Sequence, residues 1–96
     1  MKLKLLKEAQ TEYEEAVDYY IDRSEIAARA FVHEFDLALR TIVASPDRWR
    51  VDIVNTRIYR LPNFPYSLYY GLLNDEIVLV AVAHHRRRPA YWQERS

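Results

Sequence analysis

Glu76-Ile77-Val78-Leu79-Val80-Ala81-Val82-Ala83-His84-His85-Arg86-Arg87-Arg88-Pro89-Ala90-Tyr91-Trp92 is the stretch that decides the fold. A strand with one wet face alternates apolar and polar residues; the run from Ile77 to Ala83 does not alternate, so it reads as a strand covered on both faces. Side chains of a strand alternate across the sheet, which predicts Ile77, Leu79, Ala81 and Ala83 on one face and Val78, Val80 and Val82 on the other. Such a strand belongs in the interior of a sheet. It runs without a break into two histidines, three arginines, a proline and an aromatic pair. Whatever that cluster contacts, a buried strand presents it with fixed geometry.

Working outward, residues 76–85 follow the tight connection Asn74-Asp75, and residues 66–72 form an aromatic-rich strand before it. Pro62-Asn63-Phe64-Pro65 makes a turn, and residues 56–61 form a third strand. Short turns make these three strands antiparallel neighbours. Residues 47–55 read as an irregular connection. Upstream the period changes to that of a helix. Ala9, Tyr13, Ala16, Val17 and Tyr20 make one apolar stripe, with Glu12, Glu14, Glu15 and Asp18 on the other face. Ala27, Phe31, Phe35, Ala38 and Ile42 make a second stripe, capped at its start by Asp22 or Ser24 and stopped by Ser45-Pro46. The short link predicts an antiparallel helical hairpin. Alternating Lys and Leu over residues 2–6 predicts a short N-terminal strand. Pro89 opens a short final helix through Tyr91 and Trp92. The fold class is therefore α+β: an N-terminal strand, a helical hairpin packed on a small, mainly antiparallel sheet, and a short C-terminal helix. The hairpin covers one face of the sheet, and the other is expected to leave an apolar patch for a partner.

With 96 residues the chain reads as one domain, 1–96, and it is half hydrophobic, which argues against disorder. It lacks cysteine, so thiolate metal sites and disulfides are excluded. No apolar segment approaches the ~20 residues of a bilayer span, and no secretory leader is read at Met1, so a cytoplasmic protein without a membrane partner is expected. The zero net charge conceals a division: residues 1–47 carry a balance of −4 and residues 48–96 a balance of +4. All three lysines lie in the first seven residues, so the basic half is basic through arginine alone, whose planar fork suits phosphates and carboxylates.

Certain residues carry a family resemblance. They are Glu15-Ala16-Val17-Asp18-Tyr19-Tyr20, then Phe31, Ala38-Leu39 and Ile42 before the Ser-Pro stop, Phe64-Pro65-Tyr66-Ser67-Leu68-Tyr69-Tyr70, and residues 81–92. Together they resemble the RelE/ParE toxins of bacterial type II toxin–antitoxin systems, almost end to end. The ending is similar to the family's His-x-Arg-Arg-x-Pro-x-Tyr-Trp pattern, with Arg88 where the family often has an acid. The resemblance implies a RelE/ParE-like fold and a cytoplasmic, plasmid stabilisation-type toxin neutralised by a cognate antitoxin. It also implies one of two targets. ParE-like members poison DNA gyrase by binding, whereas RelE-like members are ribosome-dependent mRNA endoribonucleases. One fold with two activities leaves the choice to the site.

Metal-free RNA cleavage needs a base at the 2′-OH, an acid at the leaving oxygen and cations on the phosphate. His84, His85, Arg87 and Tyr91 are the candidates for those roles. Arg57, Arg60, Arg86, Arg87, Arg88 and Trp92 are the candidates for holding a substrate or target. Adjacent histidines on a strand point to opposite faces, so one alone can serve a given site. Arg86 and Arg87 are also candidates to pair with Glu12 or Glu15, and Tyr91 and Trp92 to pack the tail onto the sheet. Arg48 and Arg50, with no lysine, make residues 47–56 a weak match for a ribosomal RNA surface, which favours gyrase over the ribosome and its mRNA. An inactive member that still binds an antitoxin is the third reading. No metal or cofactor is expected, because His84 and His85 diverge and His33 lies mid-helix. No helix carries a basic face, so sequence-specific DNA recognition is not expected either.

Overall fold

The computed structural model describes residues 1–52 and 55–95. The elements run β1 (Lys2–Leu5), α1 (Lys7–Ile21), α2 (Glu25–Ala44), β2 (Arg57–Arg60), β3 (Tyr66–Leu73) and β4 (Glu76–His84). The strands form one sheet in the order β1-β4-β3-β2, with β1 parallel to β4 and the other pairs antiparallel. β4 is thus an interior strand, as its unbroken apolar run predicts. The irregular connection expected at 47–55 includes positions 53 and 54, which lie outside the described residues.

Local chemistry explains most boundaries. The Ser24 hydroxyl accepts the Ala27 N–H at 3.2 Å and so caps α2, a contact typically worth ~1 kcal/mol. Asp22 instead closes α1, its own N–H donating to the Asp18 carbonyl. α2 ends at Ala44 because Pro46 disfavours helix at Ser45. Asn74 and Asp75 both adopt positive φ, 51° and 64°, the backbone that a two-residue primed hairpin turn requires. The β2–β3 turn is pinned from afar, since the Glu34 carboxylate accepts both the backbone N–H and the side-chain Nδ2–H of Asn63, each at 2.9 Å.

The core lies between the hairpin and one face of the sheet. Ala9 and Ala16 of α1 and Phe31, Phe35, Ala38 and Ile42 of α2 meet Leu68, Tyr70, Ile77, Leu79 and Val82. Phe31 is fully buried and has Tyr20, Phe64 and Tyr66 at 5.3, 5.2 and 5.4 Å between ring centroids, so the Phe-Pro-Tyr motif is core packing. The Tyr70 hydroxyl, buried with its ring, is satisfied by the Pro46 carbonyl at 2.6 Å.

Two expectations need correction. The faces of β4 do not alternate throughout. Tyr69 pairs with Ala81 and Tyr70 with Leu79, so Val80 is an extra residue opposite no partner. This β-bulge rotates everything beyond it by one position. Val82 therefore joins Ile77 and Leu79 over the core, while Ala81 and Ala83 face away from the helices. The short final helix is also absent. Residues 86–95 make successive turns, closed by N–H bonds of Arg87 to the His84 carbonyl, Tyr91 to Arg88, Gln93 to Ala90 and Arg95 to Trp92. Ala90 sits at φ 57°, a left-handed conformation that an α-helix cannot contain.

The turns carry the tail back across the second face of the sheet. Trp92 is 3% exposed and stacks on Tyr69 at 4.8 Å, and Ile58, Ala81 and Ala83 are buried on the same side. The apolar patch expected on that face is consequently covered by the chain's own tail.

Candidate functional site at the strand-to-tail junction

β4 ends where its neighbour β1 has already stopped. The last pair is Leu5 with Leu79, so from Val80 onward the β4 margin on that side has no strand beside it. Glu12 of α1 and Arg95 of the tail occupy the gap. Glu12 Oε1 accepts the Val82 N–H at 2.9 Å, and Arg95 Nη1 donates to the Val80 carbonyl at 3.1 Å. The two side chains also bind each other through a bidentate pair, with Nη1 on Oε1 and Nη2 on Oε2, both 2.9 Å. The Tyr91 hydroxyl adds a third side-chain donor contact on Oε2 at 2.6 Å. A carboxylate with this many donors stays ionised even half-buried. Burial alone pulls the Glu12 carboxyl upward, but the hydrogen bonds from Arg95, Tyr91 and the Val82 amide outweigh it and leave Glu12 below its ordinary range. Burial and the Glu12 carboxylate push the Tyr91 phenol well above its ordinary value, so its proton is held.

The two histidines diverge as adjacent strand residues must. His84 pairs with Tyr66 across the sheet and packs edge-on against its ring at 5.1 Å. Its Nδ1 accepts the Arg86 N–H at 3.0 Å, which requires an unprotonated Nδ1. Desolvation, then the charges of Arg86 and His85, lower its pKa. His85 faces the tail side, where its Nε2 meets the Ser67 Oγ at 3.1 Å.

The arginines separate into distinct settings. Arg57 donates Nη1 to the Trp49 carbonyl at 2.6 Å and to the Asp47 carbonyl at 3.1 Å, tying down the chain ahead of β2. Arg60 is exposed, directly opposite Ser67 in the β2–β3 register. Arg86, Arg87 and Arg88 are all exposed, and among the described residues none of the three forms an ion pair. Arg87 stacks over the Tyr91 ring at 3.8 Å. The partner of Glu12 is thus Arg95, in place of the expected Arg86 or Arg87. Of the candidate residues, Arg60, His84, His85, Arg87, Arg88, Tyr91 and Trp92 surround one small cavity, Trp92 as a buried wall; Arg57 and Arg86 lie apart from it.

Three contributors escape local sequence reading: Arg95, Ser67 and the inward role of Glu12. One signal was available for Glu12. It falls between Ala9 and Ala16 at helical spacing, and in the structure it is half-buried where Glu14, Glu15 and Asp18 are exposed.

The hairpin offers a second surface. A groove of about 720 Å³ runs between α1 and α2, with Tyr13, Val17, Ile21, Val32 and Phe35 along it and Glu25, Arg29 and Asp36 among the polar residues beside them. Ile21 is 54% exposed, and Ile26 nearby in sequence is 81% exposed. Among the described residues no cluster of three or more His, Asp or Glu could hold a metal ion, and no helix is long and apolar enough to cross a membrane.

The described residues thus form a two-helix layer on a four-stranded sheet, closed by an arginine and aromatic tail. The family model described as ParE toxin of the type II toxin–antitoxin system, parDE, matches residues 3–89, and the chain belongs to that family. Among solved structures, a chain of the chromosomal ParDE toxin–antitoxin system from P. aeruginosa is similar in fold, with a TM-score of 0.76 at 20% sequence identity. The similarity covers 88% of this chain and 95% of that one. No curated protein matches the chain.

Proposed function

We propose that this ParE-type toxin acts in the cytoplasm by binding DNA gyrase, not by cutting RNA, and that a cognate antitoxin keeps it silent. The observation that carries the reading is the state of Tyr91. Its hydroxyl is committed to Glu12 at 2.6 Å, and its raised pKa opposes release of the proton. A general acid must exchange its proton with the substrate at a pKa near the working pH. The packing of His84 on Tyr66 and the place of His85 beside Ser67 on the opposite strand face also favour binding over acid–base chemistry. Arg86 and Arg88, exposed and without an ion pair among the described residues, are suited to contacting a protein target, with the sheet behind them as a rigid support.

The antitoxin segment is proposed to lie in the hairpin groove as a helix, its apolar side chains on Val17, Ile21 and Val32, because folding on binding lets a disordered segment cover such a surface. The tail lying over the sheet's second face, with Trp92 on Tyr69, supports the groove as the seat.

The ribosome-dependent nuclease remains the second reading, favoured by the single cavity that joins His85, Arg87 and Arg88. Gyrase supercoiling assays and toeprinting on translating ribosomes separate the two. Inhibited supercoiling with intact message is the expected result; cut message with unimpaired gyrase would establish the alternative.

A further inference from the structure

The cavity beneath the tail has a composition that binding to gyrase does not require. Arg60, Arg87, Arg88 and His85 line it, and no carboxylate does. Three guanidinium groups converge on one recess, a setting that favours an anion among them, and no ion pair with a described acid offsets any of the three arginines. The recess also has a built floor. Ser67 is 2% exposed, and strand pairing places it directly between Arg60 on β2 and Ala83 on β4. Its Oγ is 3.1 Å from His85 Nε2. When Nε2 carries the proton, it donates to Oγ, and the serine O–H is free to donate onward. Arg60 is in register with this hydroxyl, so a fork of N–H donors and one O–H donor face the same space.

We infer that this pocket, between Arg60 and the tail arginine Arg88 and over the Ser67–His85 pair, binds a phosphate group. Its volume, about 170 Å³, is well below the ~300–1,000 Å³ of sites that enclose a whole drug-sized ligand. One tetrahedral oxyanion fits; a nucleoside has to remain outside. Binding, and not turnover, is what the residues support. Among the described residues no carboxylate orients His85, and the Tyr91 hydroxyl is committed to Glu12. The phosphate is either free or the terminal group of a nucleotide, and the same site chemistry serves both. The inference does not depend on the gyrase reading, since its readout is ligand binding by the isolated chain.

The test is calorimetric titration of the purified chain with inorganic phosphate and with ADP at constant ionic strength, with chloride as the control. Saturable phosphate binding that weakens at least about tenfold in both Arg60→Gln and Ser67→Ala is expected. Tighter binding of ADP than of phosphate assigns the pocket to a nucleotide's terminal group, and equal binding assigns it to free phosphate. Arg60 is exposed, so its variant folds even should Ser67→Ala be destabilised. Absence of binding by both probes, equal binding of chloride, or undiminished binding by Arg60→Gln overturns the proposal.

Discussion

Glu12 and Arg95 lie 83 positions apart and meet through two parallel hydrogen bonds of 2.9 Å. The pair does more than join helix to tail. Between them the two side chains satisfy the Val80 carbonyl and the Val82 amide on the margin of β4 that β1 leaves open. They therefore stand in for one residue of a missing strand, and the tail's position over the sheet depends on them.

Breaking the pair should release the tail. Its side chains are 17% and 11% exposed, so removing Glu12 leaves a poorly hydrated guanidinium, a phenol and a backbone amide without their acceptor. Glu12→Ala is expected to cost about 2–4 kcal/mol and Arg95→Ala less, because Tyr91 and Val82 still bind the carboxylate. Chemical denaturation gives the energies. In a Trp49→Phe background, the Trp92 emission should shift to the red in both variants.

Stability should fall toward acid in two stages. The folded-state pKa of His84 is lowered, so its contribution is full above its ordinary 6.5 and is lost as pH falls through the folded value. Glu12 is also lowered, so its contribution is full above about 4.5 and disappears at still lower pH. Both terms have the same sign. Thermal melts from pH 7.5 to 3.5 should show the upper stage removed by His84→Asn and the lower stage reduced by Glu12→Gln.

The left-handed Ala90 offers a stabilising substitution. Glycine adopts φ 57° without the Cβ penalty, although it also loses more freedom on folding. Ala90→Gly is expected to gain about 0.5–1 kcal/mol, seen as a higher denaturation midpoint. An unchanged or lower midpoint would show that the turn is not strained.

The groove reading separates neutralisation from toxicity. Val32 is exposed and points into the groove from α2. Val32→Glu should alter stability by no more than about 0.5 kcal/mol while preventing growth rescue by the co-expressed antitoxin. Full rescue would place the antitoxin elsewhere.

What could be read in advance was local. The interior position of β4 followed from its unbroken apolar run, the α2 cap from the pair Asp22 or Ser24, of which Ser24 serves, and a tight turn from Asn74-Asp75. The divergence of His84 and His85 followed from strand geometry alone. The bulge at Val80 did not, because Val78, Val80 and Val82 have the same propensity and the extra residue is set by pairing with Tyr69 and Tyr70. The tail failed as a helix for a similar reason. Pro89 is a good first helical residue, but the Trp92 stack on Tyr69 and the Arg95 clasp on Glu12 reward a chain that turns back. Contacts between residues distant in sequence leave no periodic trace, which is why the roles of Arg95 and Ser67 were invisible while the arginines around them were not.

Direct binding between the purified chain and gyrase tests the central claim most sharply. Sedimentation should detect a complex with the unmodified chain, weakened at least about tenfold when Arg86 and Arg88 are both changed to glutamine, while Tyr91→Phe still binds. No complex at micromolar concentration, together with message cleavage that Tyr91→Phe abolishes, would contradict it.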